Sequence, residues 1–302
     1  MKKSLMTLGV LALFVLMAYG QEKKFALYSV AFYNMENLFD TIHDEGKNDY
    51  EYLPNGTNQW NTMKYKAKLK NMSEILSMLS TDKLPMGPAI IGVSEIENYR
   101  VLEDILKQPV LADRGYQYVH YEGADQRGVD CAFFYNPKLF ELTNSKLVPY
   151  VYINDTVHKT RGFLIASGNI AGEKMHFIVN HWPSRAAASP VRERAGEQVR
   201  AIKDSLLRED SAAKIVIMGD MNDDPMDESM AVALGAKRKP ADVGPTDLYN
   251  PWWDTLKKGY GTLMYKGKWN LFDQIVFTGN LLGTDRSTLK FYKHEIFRRD
   301  FN

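Results

Sequence analysis

The residues of this chain that could do chemistry recur in one setting, a short apolar run that ends in an acid, an amide or an imidazole. The run Lys214-Ile-Val-Ile-Met stops at Gly219 and delivers Asp220 and, two residues on, Asn222. Four apolar residues bounded by turn formers read as a core strand. Strand periodicity then puts both polar side chains on one side, where the chain leaves the sheet. There Asp220 can take a proton from water or hold a cation, and Asn222 offers a neutral donor and acceptor to an anionic oxygen. Taken alone, the same residues also suit an Asx-rich turn that satisfies only its own backbone.

Other stretches repeat the pattern. Ala31-Phe-Tyr ends at Asn34, with Glu36 and Asn37 beyond it, and Ile90-Ile-Gly-Val leads to Glu95 and Glu97. Phe177-Ile-Val ends at Asn180-His181, followed by Ser184-Arg185, and Trp269-Asn270-Leu-Phe introduces Asp273-Gln274 ahead of Ile-Val-Phe. Singly each has a plain reading: a solvated acid at a strand end, a satisfied histidine, a surface ion pair for Arg185. In this order and with these flanks, from about Phe25 to Phe277, they resemble the endonuclease/exonuclease/phosphatase family. That family includes pancreatic-type deoxyribonucleases, abasic-site endonucleases, sphingomyelinases and inositol-polyphosphate phosphatases.

The resemblance implies roles for these residues. Glu95 and Asn34 would hold Mg²⁺, or Mn²⁺ in its place, with Glu97 as a fallback ligand. Asp220 would activate the attacking water, Asn222 and His181 would hold the phosphoryl group, and Asp273 would be a further acid of the site. Phosphate-ester hydrolysis needs negative charge offset and a water positioned, which suits a hard cation bound by one or two carboxylates. Arg185, Arg161 and Asn180 are candidates to touch substrate, with Arg127 a weaker one, and Asp130 is a candidate to brace His181. Glu36 reads as structural. Trp252-Trp253 with Tyr249 suits either base stacking or core packing.

The chain also departs from the family. The family's last inner strand carries a Ser-Asp-His triplet, and no Asp-His pair occurs in this sequence. Asp273 matches the acid of the preceding strand, and His294-Glu295-Ile296 does not match the triplet. We therefore expect the C-terminal strand to be missing.

Composition sets bounds. Met1-Lys2-Lys3, the apolar run Leu5 to Met17 and Ala18-Tyr19-Gly20 form a signal peptide over residues 1–20, too short for a comfortable membrane span. This implies export to the periplasm or beyond. Losing its two lysines takes 38 basic residues against 37 acidic to 36 against 37, so no broad electrostatic grip on nucleic acid is expected. A lone cysteine, Cys131, excludes an internal disulfide. Residues 21–302 contain no linker or repeat and read as one domain, expected to be a monomer.

The elements that must position these residues are legible in outline. Apolar residues at helical spacing predict helices over 63–79, 101–106 and 191–207, with a short one over 226–234. Strands are predicted over 25–33, 88–93, 116–121, 129–135, 147–153, 161–170, 174–180, 214–218, 260–265 and 271–278. Residues 41–61 and 237–251 read as loops, and no exposed apolar hairpin stands out. The pattern alone gives α+β with a mixed sheet. The resemblance sharpens it to a four-layer α/β sandwich of two mixed, mainly antiparallel sheets flanked by helices. The function expected is a metal-dependent, nuclease-like phosphodiesterase. A phosphatase or phospholipase C-like hydrolase is the alternative, and a non-catalytic phosphate-ligand-binding protein with an incomplete site is the rival from another class.

Overall fold

The structure is a computed structural model and describes residues 25–299 apart from 154 and 156. The expected signal peptide lies outside the described residues. A four-stranded sheet is built from β1 (Val30–Leu38), β2 (Ile90–Ile96), β3 (Gln117–His120) and β4 (Asp130–Tyr135), in the order β1-β2-β4-β3. A larger sheet contains β5 (Glu141–Val148), β6 (Phe163–Ile170), β7 (Glu173–His181), β8 (Lys214–Asp220), β9 (Ala236–Lys237) and β10 (Leu248–Tyr249). A separate hairpin of β11 (Leu263–Tyr265) and β12 (Lys268–Asn270) precedes β13 (Asp273–Thr278), which completes the larger sheet in the order β5-β6-β7-β8-β13-β10-β9.

Side-chain alternation stacks the two sheets. Along β4, Cys131, Phe133 and Tyr135 face β8 residues Val216 and Met218 between the sheets, whereas Ala132 and Phe134 face outward. Along β8, Ile215 and Ile217 point away from the shared core. Each outward face is covered by helix. Leu69, Met72 and Leu76 of α1 (Thr62–Met78), with α2 (Tyr99–Leu106) and α3 (Pro109–Ala112), cover the smaller sheet. Ala195, Val199 and Leu206 of α4 (Ser189–Glu209) cover the larger one. Four layers result, as the family resemblance implies. Local signals fix the helix starts: Asn61 accepts from the backbone of Met63 and Lys64, and Pro190 sits in the first turn of α4.

Several elements differ from expectation. The strand expected over 147–153 lies at 141–148, because Pro149 has no N–H to continue the ladder. The loop expected over 237–251 contains β10, which pairs antiparallel with β13. The short helix over 226–234 reduces to a π-helical turn at Ser229–Ala233. Trp252 and Tyr249 belong to packing, with Trp252 Nε1 donating to the Ile275 carbonyl and Tyr249 set edge-on to Phe277. The β11–β12 hairpin, which does not stand out in the sequence, is exposed on both strands. Among the described residues no strand follows Leu282, no helix is long and apolar enough to cross a membrane, and Cys131 is free and buried.

Gly219 pairs with Asn180 across β7 and β8, with no room there for a side chain. A Cβ there would sit 2.2 Å from the Asn180 carbonyl oxygen. Gly219→Ala should therefore cost about 1–3 kcal/mol by urea denaturation. Wild-type stability in that variant would show that the two strands separate freely.

Candidate active site

Strand direction gathers the chemistry at one end of the sandwich. β1 and β2 run parallel, as do β7 and β8, and β13 runs antiparallel to β8. The last residues of four strands and the first of a fifth therefore meet. His181 and Asp273 flank Asp220 in register on its two sides. The smaller sheet supplies Asn34 and Glu95 through irregularities in its ladders, which slip between Asn34 and Leu38 and between Ser94 and Ile96. Glu36, Asn37, Glu95 and Asn222 adopt left-handed backbone at φ 52°, 57°, 59° and 52°. Each such residue costs about 1–3 kcal/mol, so the surrounding structure must hold it.

Hydrogen bonds tie the two sheets together here. The Asn34 amide donates to Glu95 Oε1 at 3.2 Å and to Asp220 Oδ2 at 3.0 Å. The Asn37 N–H donates to Glu95 Oε2 at 2.8 Å, and the Asn222 N–H to Asp220 Oδ1 at 2.9 Å. His181 Nε2 lies 3.7 Å from Glu95 Oε1 and 3.9 Å from Asp220 Oδ2, while its Nδ1 is buried without a partner. One oxygen of Asp273 is likewise buried and unpartnered.

Burial and mutual repulsion set the charges. Asp220 is pushed up to about 6, chiefly by burial and further by Glu95, against the pull of its hydrogen bonds and Arg161. Asp273 is pushed up to about 8 by burial and by Asp220. Burial drives His181 well below the usual imidazole range, helped by Arg161 and Arg127, so it is neutral at pH 7.

A hard cation fits this donor set. Carboxylate oxygens of Glu95 and Asp220 lie within 4.8 Å of each other and of a His181 ring nitrogen, and Asp273, in register with Asp220, adds a buried oxygen without a partner.

The sequence profile described as the Endonuclease/Exonuclease/phosphatase family matches residues 29–302. The chain belongs to this family. Among curated proteins, none matches it in sequence. Among solved structures it is similar to humanized D. rerio TDP2 at 14% identity, with 83% of each chain covered and a TM-score of 0.53. It is also similar to D. rerio TDP2 complexed with single strand DNA product, at 15% identity, 83% of each chain and a TM-score of 0.51. ANGEL2, described as a 2',3'-cyclic phosphatase, is 11% identical over 74% of this chain and 75% of its own, with a TM-score of 0.52. At these identities the likeness is one of fold.

Of the residues singled out from sequence, Asn34, Glu95, His181, Asp220, Asn222 and Asp273 come together in this family member. Asn34 presents its N–H groups to the carboxylates, and its oxygen accepts from the Glu36 N–H. This is the orientation of a brace, and a ligand role would need the amide turned over. Arg161 is buried beside the site, donating to Asp125 at 3.1 Å and to the Trp182 carbonyl at 3.0 Å, with its Nε unpartnered. Arg127 reaches Asn37 Oδ1 at 3.4 Å.

The other candidates are engaged elsewhere. Asn180 is fully buried and donates to the carbonyls of Ile178 and Met218. Arg185 contacts Asp223, Asp224 and Asp227 and lies over the Phe272 ring. Glu97 accepts from the Asp40 N–H and is pushed up to about 8, chiefly by burial. Asp130 does not brace His181, because its oxygens accept from the Gly123 N–H and one pairs with His120 Nε2 at 3.2 Å. His120, Glu122 and Asp130 form a second group of close ligand atoms. His294 lies against Trp252 and Thr255.

Sequence reasoning missed Lys68, Asn37 and Asp125. Lys68 lies on the α1 face read as solvated, yet it is half-buried, donates to the Glu36 carbonyl and feels Glu95. Its one local signal was its neighbour Leu69, which turns that part of the helix inward.

The charge state makes a prediction about stability. A carboxyl that binds its proton more tightly when folded favours the native state at low pH. It loses that advantage as pH climbs from its ordinary 3.8 towards about 8. In EDTA, the wild-type protein should therefore lose more stability between pH 6.5 and 8.5 than Asp273→Asn does, as read by urea denaturation. Parallel curves would contradict the shift assigned to Asp273.

Proposed function

We propose that this protein is a metal-dependent phosphodiesterase of nuclease-like type that hydrolyses P–O bonds with an activated water. The observation that supports this best is the convergence of Glu95, Asp220 and His181 within 4.8 Å, next to a buried Asp273. When bound, Mg²⁺ or Mn²⁺ would offset charge on the phosphoryl oxygens, with Glu95 the leading ligand and Asn34 beside it.

The chain's own residues divide the remaining work. Asp220, held near 6, is largely ionised at neutral pH and basic enough to take a proton from the attacking water. Asp273, held near 8, retains its proton at the same pH and can supply one to the departing oxygen. Environments that push two neighbouring acids apart assign base and acid between them. Neutral His181 can donate an N–H to a phosphoryl oxygen without adding charge, and Asn222, whose amide donates one N–H to the Trp182 carbonyl at 3.0 Å, has a second N–H to hold another. Arg161 and Arg127 supply the positive field on the His181 side, which suits an anionic substrate. Arg185 and Asn180, with their bonds to neighbouring acids and carbonyls, serve this reading as braces of the loops rather than as substrate contacts. The basic, then apolar, opening of the chain supports action after export.

Asp220→Ala should lower kcat on bis(p-nitrophenyl) phosphate and on nicked plasmid by about 10²–10⁴-fold in Mg²⁺ while the thermal midpoint holds. EDTA should silence the wild type and added Mg²⁺ restore it. Activity within a few fold of wild type in the variant would refute the assignment of the base, and release of phosphate from monoesters alone would refute the diester reading.

A further inference from the structure

The β11–β12 hairpin has no place in the packed layers. Leu263, Met264, Tyr265 and Trp269 are 47%, 53%, 61% and 40% exposed, and Tyr260 just before them is 55% exposed. Opposite pairs are Leu263 with Asn270, Met264 with Trp269 and Tyr265 with Lys268. Alternation therefore puts Tyr265 on one face and Trp269 on the other, and both faces are open. Two strands with no packed face are marginal in water by themselves.

Charge narrows what would cover them. Between Thr255 and Phe272 the chain carries Lys257, Lys258, Lys266 and Lys268 and no acid. All four lysines are exposed, Lys266 lies 5.2 Å over the Tyr265 ring, and the nearest preceding acid, Asp254, is paired with Arg238. The base of the hairpin is tied to the site. Thr262 Oγ1 accepts from the N–H groups of Phe272 and Asp273, both at 3.2 Å, and Asn270 Oδ1 accepts from Arg185 at 3.3 Å. An arm of about 15 Å thus rises from the rim beside Asp273.

We infer that this hairpin holds a single nucleic-acid strand leading into the site, with a base stacked on Tyr265 and phosphates met by Lys268 on the same face and by Lys266 at the turn. Rings stack on any base, and interleaved lysines follow the backbone. A lipid surface fits less well. The turn that would enter a bilayer first is Lys266-Gly267-Lys268, whose ammonium groups resist burial in hydrocarbon. The inference rests on the phosphodiester reading for the site that the arm would feed.

The test is fluorescence anisotropy of a labelled oligothymidylate with the full protein in EDTA, beside turnover of bis(p-nitrophenyl) phosphate in Mg²⁺. Tyr265→Ala should weaken oligonucleotide binding by about tenfold. Lys266→Gln with Lys268→Gln should flatten the log–log salt slope by about one. Turnover of the small diester, which is too short to reach the hairpin, should stay at the wild-type level in all these variants. Oligonucleotide binding unchanged in the variants, or absent in the wild type, would overturn the inference. So would hairpin-dependent binding to phosphatidylglycerol vesicles without binding to the oligonucleotide. Hairpin-dependent strand binding by a protein that cleaves no diester would leave the arm standing and break the catalytic reading alone.

Discussion

Carboxylates withdrawn together from water resist being ionised together, and Asp220 and Asp273 are so placed, with the charge of Glu95 acting on both. The rest of the site is arranged around that repulsion. Asn34 donates to Glu95 on its own sheet and to Asp220 on the other, so one amide both screens two acids and joins the layers. Burial keeps His181 neutral, which leaves the negative field intact for a cation. Asp273 meets the remaining repulsion by holding its proton. A charge pattern of this kind suits a dication, and its unequal environments shift chemically identical acids by different amounts.

Holding five strand ends in such an arrangement costs backbone strain, and buried pairs around the site offset it. Asp223, just past Asn222, pairs with Arg192 at 2.8 Å, accepts from Ser229 Oγ at 2.7 Å and receives Gln274 on its carbonyl at 2.8 Å. These bonds fasten the loop after β8 to α4, to the π-helical turn and to β13. Arg161 and Asp125 do the same on the opposite side. Breaking one member of a buried pair typically costs about 3–5 kcal/mol, enough to hold left-handed residues such as Asn222 in place. The loop geometry that aims Asp220 is therefore set in part by side chains engaged with one another rather than with Asp220 itself.

How far this was legible from sequence follows the range of each interaction. The strand ending in Gly219-Asp220 and the helix over 62–78 are written in local periodicity, and the four-layer fold followed from the family resemblance. Asn34, Glu95, His181, Asp220, Asn222 and Asp273, which the fold brings together, were singled out because each ends or begins an apolar run. The contacts that the sequence left unseen depend on where the fold brings the chain back. Asp130 turned to His120 on the adjacent strand, Arg185 to acids 38 to 42 residues away, and Asn180 to carbonyls of its own sheet. None of those pairings has a local signature. The exposed hairpin escaped notice for the opposite reason: Leu-Met-Tyr reads as a buried strand, and only the packing reveals that nothing covers it.

The most direct test of the account is anomalous diffraction from crystals soaked in Mn²⁺. The account predicts a manganese peak within coordination distance of the Glu95 carboxylate, on the side shared with Asp220 and His181. A site left empty there while manganese orders at His120, Glu122 and Asp130, or nowhere in the molecule, would contradict it.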